Sequence, residues 1–540
     1  MQSLQNRPWY KYYSEEQRSL KLPENSLYDV LKESVEKYRN DVAITFEDET
    51  ITYKQLKSKV DQLAGAWKKM NLQKGERIGF MIPNHPDYII GYYAAIALGL
   101  IVVQINPNYT PRELLHILED AQVSYIVVNK TSLPTIHAVE DLYTFKKIFT
   151  SQIGEKRKNT IPIEECFSSQ HSLQTPTPIN VKEDIAVIQY TGGTTGKIKG
   201  AMLTHFNLVS NVYQSYMMYR QKILLGGETI LAATPLYHVY GMTSAMNLGI
   251  FIGANILLIP KFETNMVLEK IKKSQPTFFP GVPKMYISFV NHPHVKQYGL
   301  TCLKICSSGS APLPIEIIKK FEEITGTTIH EGFGMSETSP TTHRNPVNGK
   351  IKIGSIGIPV PGTDSCIVDD SHKPLKPKMV GELVIKGPQV MKGYWNNETE
   401  TRQVLRNGWL FTGDLAMMDE DGYFYIVGRK KEMIISSGFN IYPQEIESVL
   451  YEHHDIEEAA VIGIPDKING EIVKAFVVPK KGCMIDLEEV RSYCYEKLTP
   501  YKVPKLFEVR ESLPRNGVGK LLKRQLVKEE LEKGESENGH

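Results

Sequence analysis

The feature that most constrains this chain is an alternation held from the N-terminus to about Asn345. Short β-branched runs, "RIGFMI", "SYIVVN", "IAVIQY" and "ANILLIP", recur between amphipathic segments of helical period. Strands separated by helices enter a sheet in parallel and are covered on their faces, so the pattern predicts α/β layers. From Gly354 to Arg429 the rhythm changes to short strands and turns, "GSIGIPVPGTDSCIVDD", "GELVIKGP" and "YFYIVG", which predict a small β-rich subdomain. Beyond Lys431, "EIESVLYEHHDIEEAAVIGIPD", "EIVKAFVVPKKG" and "LEEVRSYCYEKL" predict a compact α+β unit. We place the main boundary at Lys430 to Lys431, within the charged "GRKKE", dividing the chain into 1–430 and 431–540. The closing "KEELEKGESENGH" reads as a frayed helix end. With about 150 residues per domain, 540 residues leave room for roughly three or four cores.

One run, "YIIGYYAAIALGLIVVQI", carries no charge and has the length of a membrane span. Its Gly99 and β-branched ending, between the turn signals "PNHPD" and "NPNYTP", predict instead a buried helix running into a buried strand. The N-terminus lacks the order of a signal peptide, and six cysteines without C-x-x-C pairing indicate neither a zinc site nor a disulfide framework. A cytoplasmic location is the expectation. The 63 basic and 61 acidic residues, for a formal charge of +2, give no electrostatic case for nucleic acid or a membrane surface as a partner.

The chemistry begins at "QYTGGTTGKIKGAMLTHFN", from Gln189. A P-loop reads G-x-x-x-x-G-K-[ST]. Here Thr191 stands in place of the first glycine and Ile198 in place of the metal-binding hydroxyl, so the template fails twice. What remains, Gly192, Gly193, Thr194, Thr195 and Gly196, can still offer main-chain amides and hydroxyls to phosphate oxygens, with Lys197 and Lys199 beside them. Taken alone the stretch is equally a flexible turn.

Four further segments accompany it in register: "TPLYHVYGMT" from Thr234, "EGFGMSETSP" from Glu331, "NGWLFTGDLAMMDEDGYFYIVGRKKEMIISSGFNIYPQEIE" from Asn407, and "PRNGVGKLLKR" near the end. Together they resemble the adenylate-forming superfamily of acyl-CoA synthetases, amino-acid adenylation domains and beetle luciferases. Among its branches the chain is most similar to bacterial medium- and long-chain fatty acyl-CoA ligases. The resemblance implies a large N-terminal adenylation domain, a small mobile C-terminal domain, and two steps. A carboxylate and ATP give acyl-AMP and pyrophosphate, and coenzyme A then gives acyl-CoA and AMP. Magnesium is the implied metal. Fatty acid, ATP and coenzyme A are the implied partners, with peripheral membrane contact and a homodimer both compatible with the class.

The resemblance also assigns residues. The loop with Thr191 holds the pyrophosphate portion. It departs from the usual pattern at Gly192, commonly serine, which removes a hydroxyl, and at Ile198, often proline, which removes rigidity. Phe333, flanked by Gly332 and Gly334 and followed by Met335, would stack on adenine, and Glu337 is the implied magnesium carboxylate. Ser308, Gly309 and Ser310 would line the purine and acyl side. Asp414 and Arg429 would reach the ribose hydroxyls, Lys431 marks the hinge, and Gly438 would wall the pantetheine tunnel. His238 would shield the carboxylate site and later open a path for the thiol. Lys520 is the implied adenylation lysine, a point charge on a flexible stem that can touch both carboxylate and phosphate. Read singly, each has an ordinary alternative: a turn glycine, a packed aromatic, a solvated charge.

Two other readings compete. An amino-acid adenylation domain would place an acid just after the aromatic segment to meet the amine, but Val239 follows His238. A non-catalytic nucleotide-binding protein would have lost Glu337, Asp414 or Lys520, and all three are present. Aryl-CoA ligases share every motif named.

Overall fold

The computed structural model describes residues 7–152, 159–192, 198–347, 349–466, 468–515 and 521–537. The chain packs as two compact units. The larger comprises Arg7–Asp364 and Ile385–Leu410; the smaller comprises Ser365–Val384 and the chain from Phe411 onward.

Two sheets build the larger unit. In the first, Val42–Phe46, Asn255–Leu258, Thr229–Ala232, Phe278–Gly281, Ile305–Ser308 and Ile329–Gly334 lie side by side and all parallel. Antiparallel strands extend it at both ends, Glu49–Thr52 at one and Thr341–Arg344 with Ile358–Pro359 at the other. In the second, Ile185–Gly192, Ile101–Gln104, Arg77–Met81, Tyr125–Asn129, Lys147–Ser151 and Thr160–Pro162 are parallel in that spatial order. The layers expected from the alternation are therefore present.

The uncharged run behaves as a core element. Pro86–Leu98 is a helix buried at every position, ended by Gly99 in the left-handed conformation (φ 69°), and Ile101–Gln104 follows as a fully buried strand. A helix apolar all round needs packing on all sides, which the surrounding elements of this unit provide. Among the described residues no helix is long and apolar enough to cross a membrane.

Residues 385–410 leave the β-rich stretch and join the larger unit. The reason is a strand pairing: Gly393–Tyr394 adds antiparallel to Ile198–Thr204, and Lys199 Nζ binds Glu400 Oε2 at 2.5 Å. In the smaller unit, the hairpin Trp409–Met418 and Phe424–Arg429 pairs with Gly381–Lys386, which in turn pairs with Asp364–Val368. A second sheet follows, with Gly470–Pro479 between the Ile434–Ser436/Phe439–Ile441 hairpin and Ile456–Asp466, and Leu506–Val509 parallel to it. Ile434, Ile446, Leu450, Val461, Val477, Val490 and Cys494 form its core with the helices Pro443–Tyr451 and Leu487–Lys497. The final helix, Lys523–Glu537, occupies the stretch read as a helix end.

Three buried histidines tie the larger unit to pH. Burial pushes His205 and His330 down to about 4 and His343 to about 3. Unfolding exposes imidazoles that take up protons near 6.5, which the folded state refuses, so stability is complete above that value and is lost as pH falls toward 4. Glu331, raised to about 7 by burial, works in the opposite direction over part of this range. The histidines outnumber it. Urea unfolding at pH 7 and pH 5 should show lower stability at pH 5, each histidine contributing roughly 3–5 kcal/mol only at full loss, well below pH 5. A flat profile would contradict the assignment of neutral buried imidazoles.

Candidate active site

In a parallel sheet, ligands bind beyond the carboxyl ends of the strands. At that edge of the first sheet the register sets Gly281 beside Ser308, and Ser308 beside Glu331. Ser308–Ser310 and Gly332–Met335 therefore leave two adjacent strands together. Ser308 is buried, and its Oγ has no hydrogen-bond partner among the described residues. Gly309 lies against the Tyr240 ring; a Cβ added there would sit 3.6 Å from it. Tyr240 is anchored in turn by a 3.0 Å hydrogen bond between its hydroxyl and Ser307 Oγ.

The segment carrying Tyr240 and His238 is wound tightly. The His238 amide donates to the Pro235 carbonyl (3.1 Å), and His238 Nδ1 accepts from the Tyr240 amide (3.3 Å). A Cβ on Gly241 would fall 2.2 Å from the Pro235 oxygen, so only glycine permits the close turn. A buried π-helix, Gly241–Asn247, follows; such windings often occur at functional sites. His238 itself is half-buried.

The glycines around Phe333 have a packing reason. A Cβ on Gly334 would lie 2.3 Å from the Pro340 carbonyl, and one on Gly332 would lie 3.0 Å from that of His343. Both admit the neighbouring backbone. Phe333 is half-buried and meets its strand partner His343 edge-on, with ring centroids 6.2 Å apart.

Glu337 is buried, and its Oε1 accepts from the Tyr394 hydroxyl at 2.8 Å. Burial and then the Glu337 charge raise Tyr394 well above its ordinary range, so it stays a proton donor. Glu337 Oε2 makes no hydrogen bond among the described residues. That free oxygen fits a hard cation, which takes oxygen donors and retains waters or phosphate oxygens in its other positions. Tyr394 belongs to the short strand paired with Ile198–Thr204, and Lys199 Nζ lies 5.4 Å from its ring. The carboxylate is thus linked to the hairpin that carries the glycine-rich stretch.

That hairpin differs from any strand-loop-helix phosphate loop. Thr191 pairs with Lys199 and Gly192 with Ile198 in antiparallel register, and the helix His205–Tyr219 starts only after the return strand, capped by Thr204. Thr191 is half-buried at the hairpin's end. Lys199 is held by Glu400 in place of being a solvated loop charge. Gly193, Thr194, Thr195, Gly196 and Lys197 lie outside the described residues, as does Lys520.

The remaining candidates belong to the smaller unit. Asp414 and Arg429 are register partners, with the buried Asp414 Oδ1 3.4 Å from Arg429 Nε. Glu382, which the sequence reading did not single out, accepts from the Gly413 amide (3.1 Å) and so supports the left-handed turn (φ 72°) before Asp414. Lys431 is exposed in the short 3-10 turn Lys430–Glu432. Gly438 and Ser437 are the two-residue loop of the 434–441 hairpin, with φ of 82° and 50°. Tyr394 and Tyr240, likewise not singled out, were legible only as aromatics beside turn residues.

The AMP-binding enzyme family matches residues 31–395, and its C-terminal domain matches 445–520. The chain belongs to the AMP-binding enzyme family. A long-chain-fatty-acid–CoA ligase from Bacillus subtilis (strain 168) is 43% identical over 552 residues, covering 97% of this chain and 98% of the relative. A feruloyl-CoA synthase from Amycolatopsis sp is 34% identical over 88% of this chain and 92% of its own length. The crystal structure of ATP-bound MatB from Rhodopseudomonas palustris, 30% identical, superposes with a TM-score of 0.85 over 93% of this chain and 98% of that one.

Proposed function

We propose that this protein is an ATP-dependent, AMP-forming ligase that joins long- or medium-chain fatty acids to coenzyme A. The observation that carries the reading is 43% identity to a long-chain-fatty-acid–CoA ligase across 97% of the chain. Carboxylate and α-phosphate are both anions, so catalysis needs donors and positive charge where they meet. The glycine-rich stretch that begins with Thr191 and Gly192 holds the pyrophosphate portion of ATP. Ser308–Ser310 and Phe333 contact the adenine and acyl side, and Asp414 with Arg429 takes the ribose. Glu337 would hold magnesium through Oε2, and the ion would supply charge neutralisation to the phosphates.

Lys520 acts in the first step. The carboxylate oxygen bonds to the α-phosphorus, the bond from that phosphorus to the bridging oxygen breaks, and pyrophosphate leaves. The segment after Lys431 then turns about that residue, and the surface at Gly438 replaces Lys520 for thiol attack on the acyl carbonyl, with AMP departing. A homodimer belongs to the same reading and is checked by light scattering.

The feruloyl-CoA synthase relative supports an aryl-CoA ligase as a second reading. CoA-dependent AMP release across acetate to palmitate, with benzoate, cinnamate and amino acids in the same panel, separates the two. Highest kcat/KM between octanoate and palmitate is the expected outcome; a cinnamate or benzoate optimum would replace the fatty acid.

A further inference from the structure

Arg344 is the most unusual charge in the larger unit. It ends the strand Thr341–Arg344 and is 2% exposed, yet its Nε and Nη1 have no hydrogen-bond partner among the described residues. No carboxylate among the described residues pairs with it, and Nη2 reaches only Thr341 Oγ1 at 3.5 Å. Its guanidinium lies 4.5 Å from the centre of the Tyr219 ring. An unpaired buried cation costs several kcal/mol, so a sequence retains one at the expense of stability. Burial lowers it to about 9, which still leaves it charged at neutral pH.

Its surroundings are polar and equally unsatisfied. The Tyr219 hydroxyl and Ser215 Oγ are buried without hydrogen-bond partners among the described residues. They are four residues apart on the helix His205–Tyr219 and so share one face. Asn211, one turn earlier, docks that face onto the strand, its side chain exchanging hydrogen bonds with Thr341 O (2.7 Å) and Thr341 N (2.9 Å). Arg344 is also the register partner of Gly332, and a Cβ on Gly332 would lie 3.6 Å from Arg344 Nε. The missing side chain therefore leaves the guanidinium against the Gly332 main chain, one residue before Phe333 in the strand.

We propose that Arg344, with Tyr219 and Ser215, recognises a second acceptor group on the carboxylic acid substrate, a distal carboxylate or hydroxyl. The inference rests on the acyl-CoA ligase reading and deepens it: at a given chain length, an acid with a distal acceptor is preferred over the plain fatty acid. A plain alkyl chain would leave the cation buried and unpaired, whereas an acceptor would satisfy Nε and Nη1 together, with the two hydroxyls donating to it.

The test compares α,ω-dicarboxylic and ω-hydroxy acids with the plain monocarboxylic acids of equal length, from six to sixteen carbons, in CoA-dependent AMP release. In the unmodified enzyme at least one length should favour the doubly polar acid. In Arg344→Met that preference should fall by about tenfold to a hundredfold, with partial recovery in Arg344→Lys and a smaller fall in Tyr219→Phe, which keeps the ring. Thermal stabilisation by the preferred acid, measured without ATP, should disappear in Arg344→Met; this readout is independent of turnover and holds if the acyl-CoA reading itself fails. Monocarboxylic preference at every length in the unmodified enzyme, or equal losses for both acid types in Arg344→Met and Tyr219→Phe, would overturn the proposal.

Discussion

Lys520→Ala is expected to lower carboxylate-dependent ATP–pyrophosphate exchange by roughly a hundredfold to a thousandfold, while CoA acylation from preformed acyl-AMP continues. The asymmetry follows from charge. In the first step two anions converge, and a lysine acting as proposed would offset their repulsion; in the second, a thiol would attack an activated carbonyl and AMP depart without that demand. Equal losses in both half-reactions would remove Lys520 from the chemistry and leave it a folding or binding residue.

Gly438→Leu is expected to do the reverse, sparing exchange and lowering thioester formation by a hundredfold or more if a leucine fills a pantetheine path. The structure makes this test sharper, because Gly438 has a second reason to be glycine. It completes a two-residue hairpin loop at φ 82°, where a non-glycine residue is strained by roughly 1–2 kcal/mol. A Cβ at this position meets nothing within 4 Å, so the strain is conformational and not steric. Gly438→Asn separates the causes, since asparagine tolerates the left-handed region but still brings a side chain. If both variants lose thioester formation while the fold is retained, the tunnel role stands. If Asn behaves as the unmodified enzyme and Leu merely lowers stability, the glycine serves the turn alone.

Much of this was open to reading from the chain. The alternation of β-branched runs with helical segments led to the parallel sheets, since each such run must bury both faces. The uncharged stretch from Tyr88 was separable from a membrane span by Gly99, which ends the helix, and it is a buried helix and strand. What stayed hidden involved partners far apart in sequence. Nothing near Ile198 announces that the residues after the glycine-rich stretch return as a strand, because its partners, Ile185–Gly192 and Gly393–Tyr394, lie on opposite sides in sequence. Glu337 reads as one acidic residue in a loop until Tyr394, 57 positions later, donates to it.

The sequence by itself determined the family and the parallel layers, because motif order and hydrophobic period are written locally. Only the tertiary structure decided that the phosphate-binding candidate is a hairpin and that Glu337 keeps one oxygen free. It alone also showed that Gly438 answers to a turn and that Arg344 is buried without a carboxylate partner among the described residues. Strand register and burial arise from packing between segments tens to hundreds of residues apart, and the free energy of a charge depends on the partners that packing brings to it or withholds.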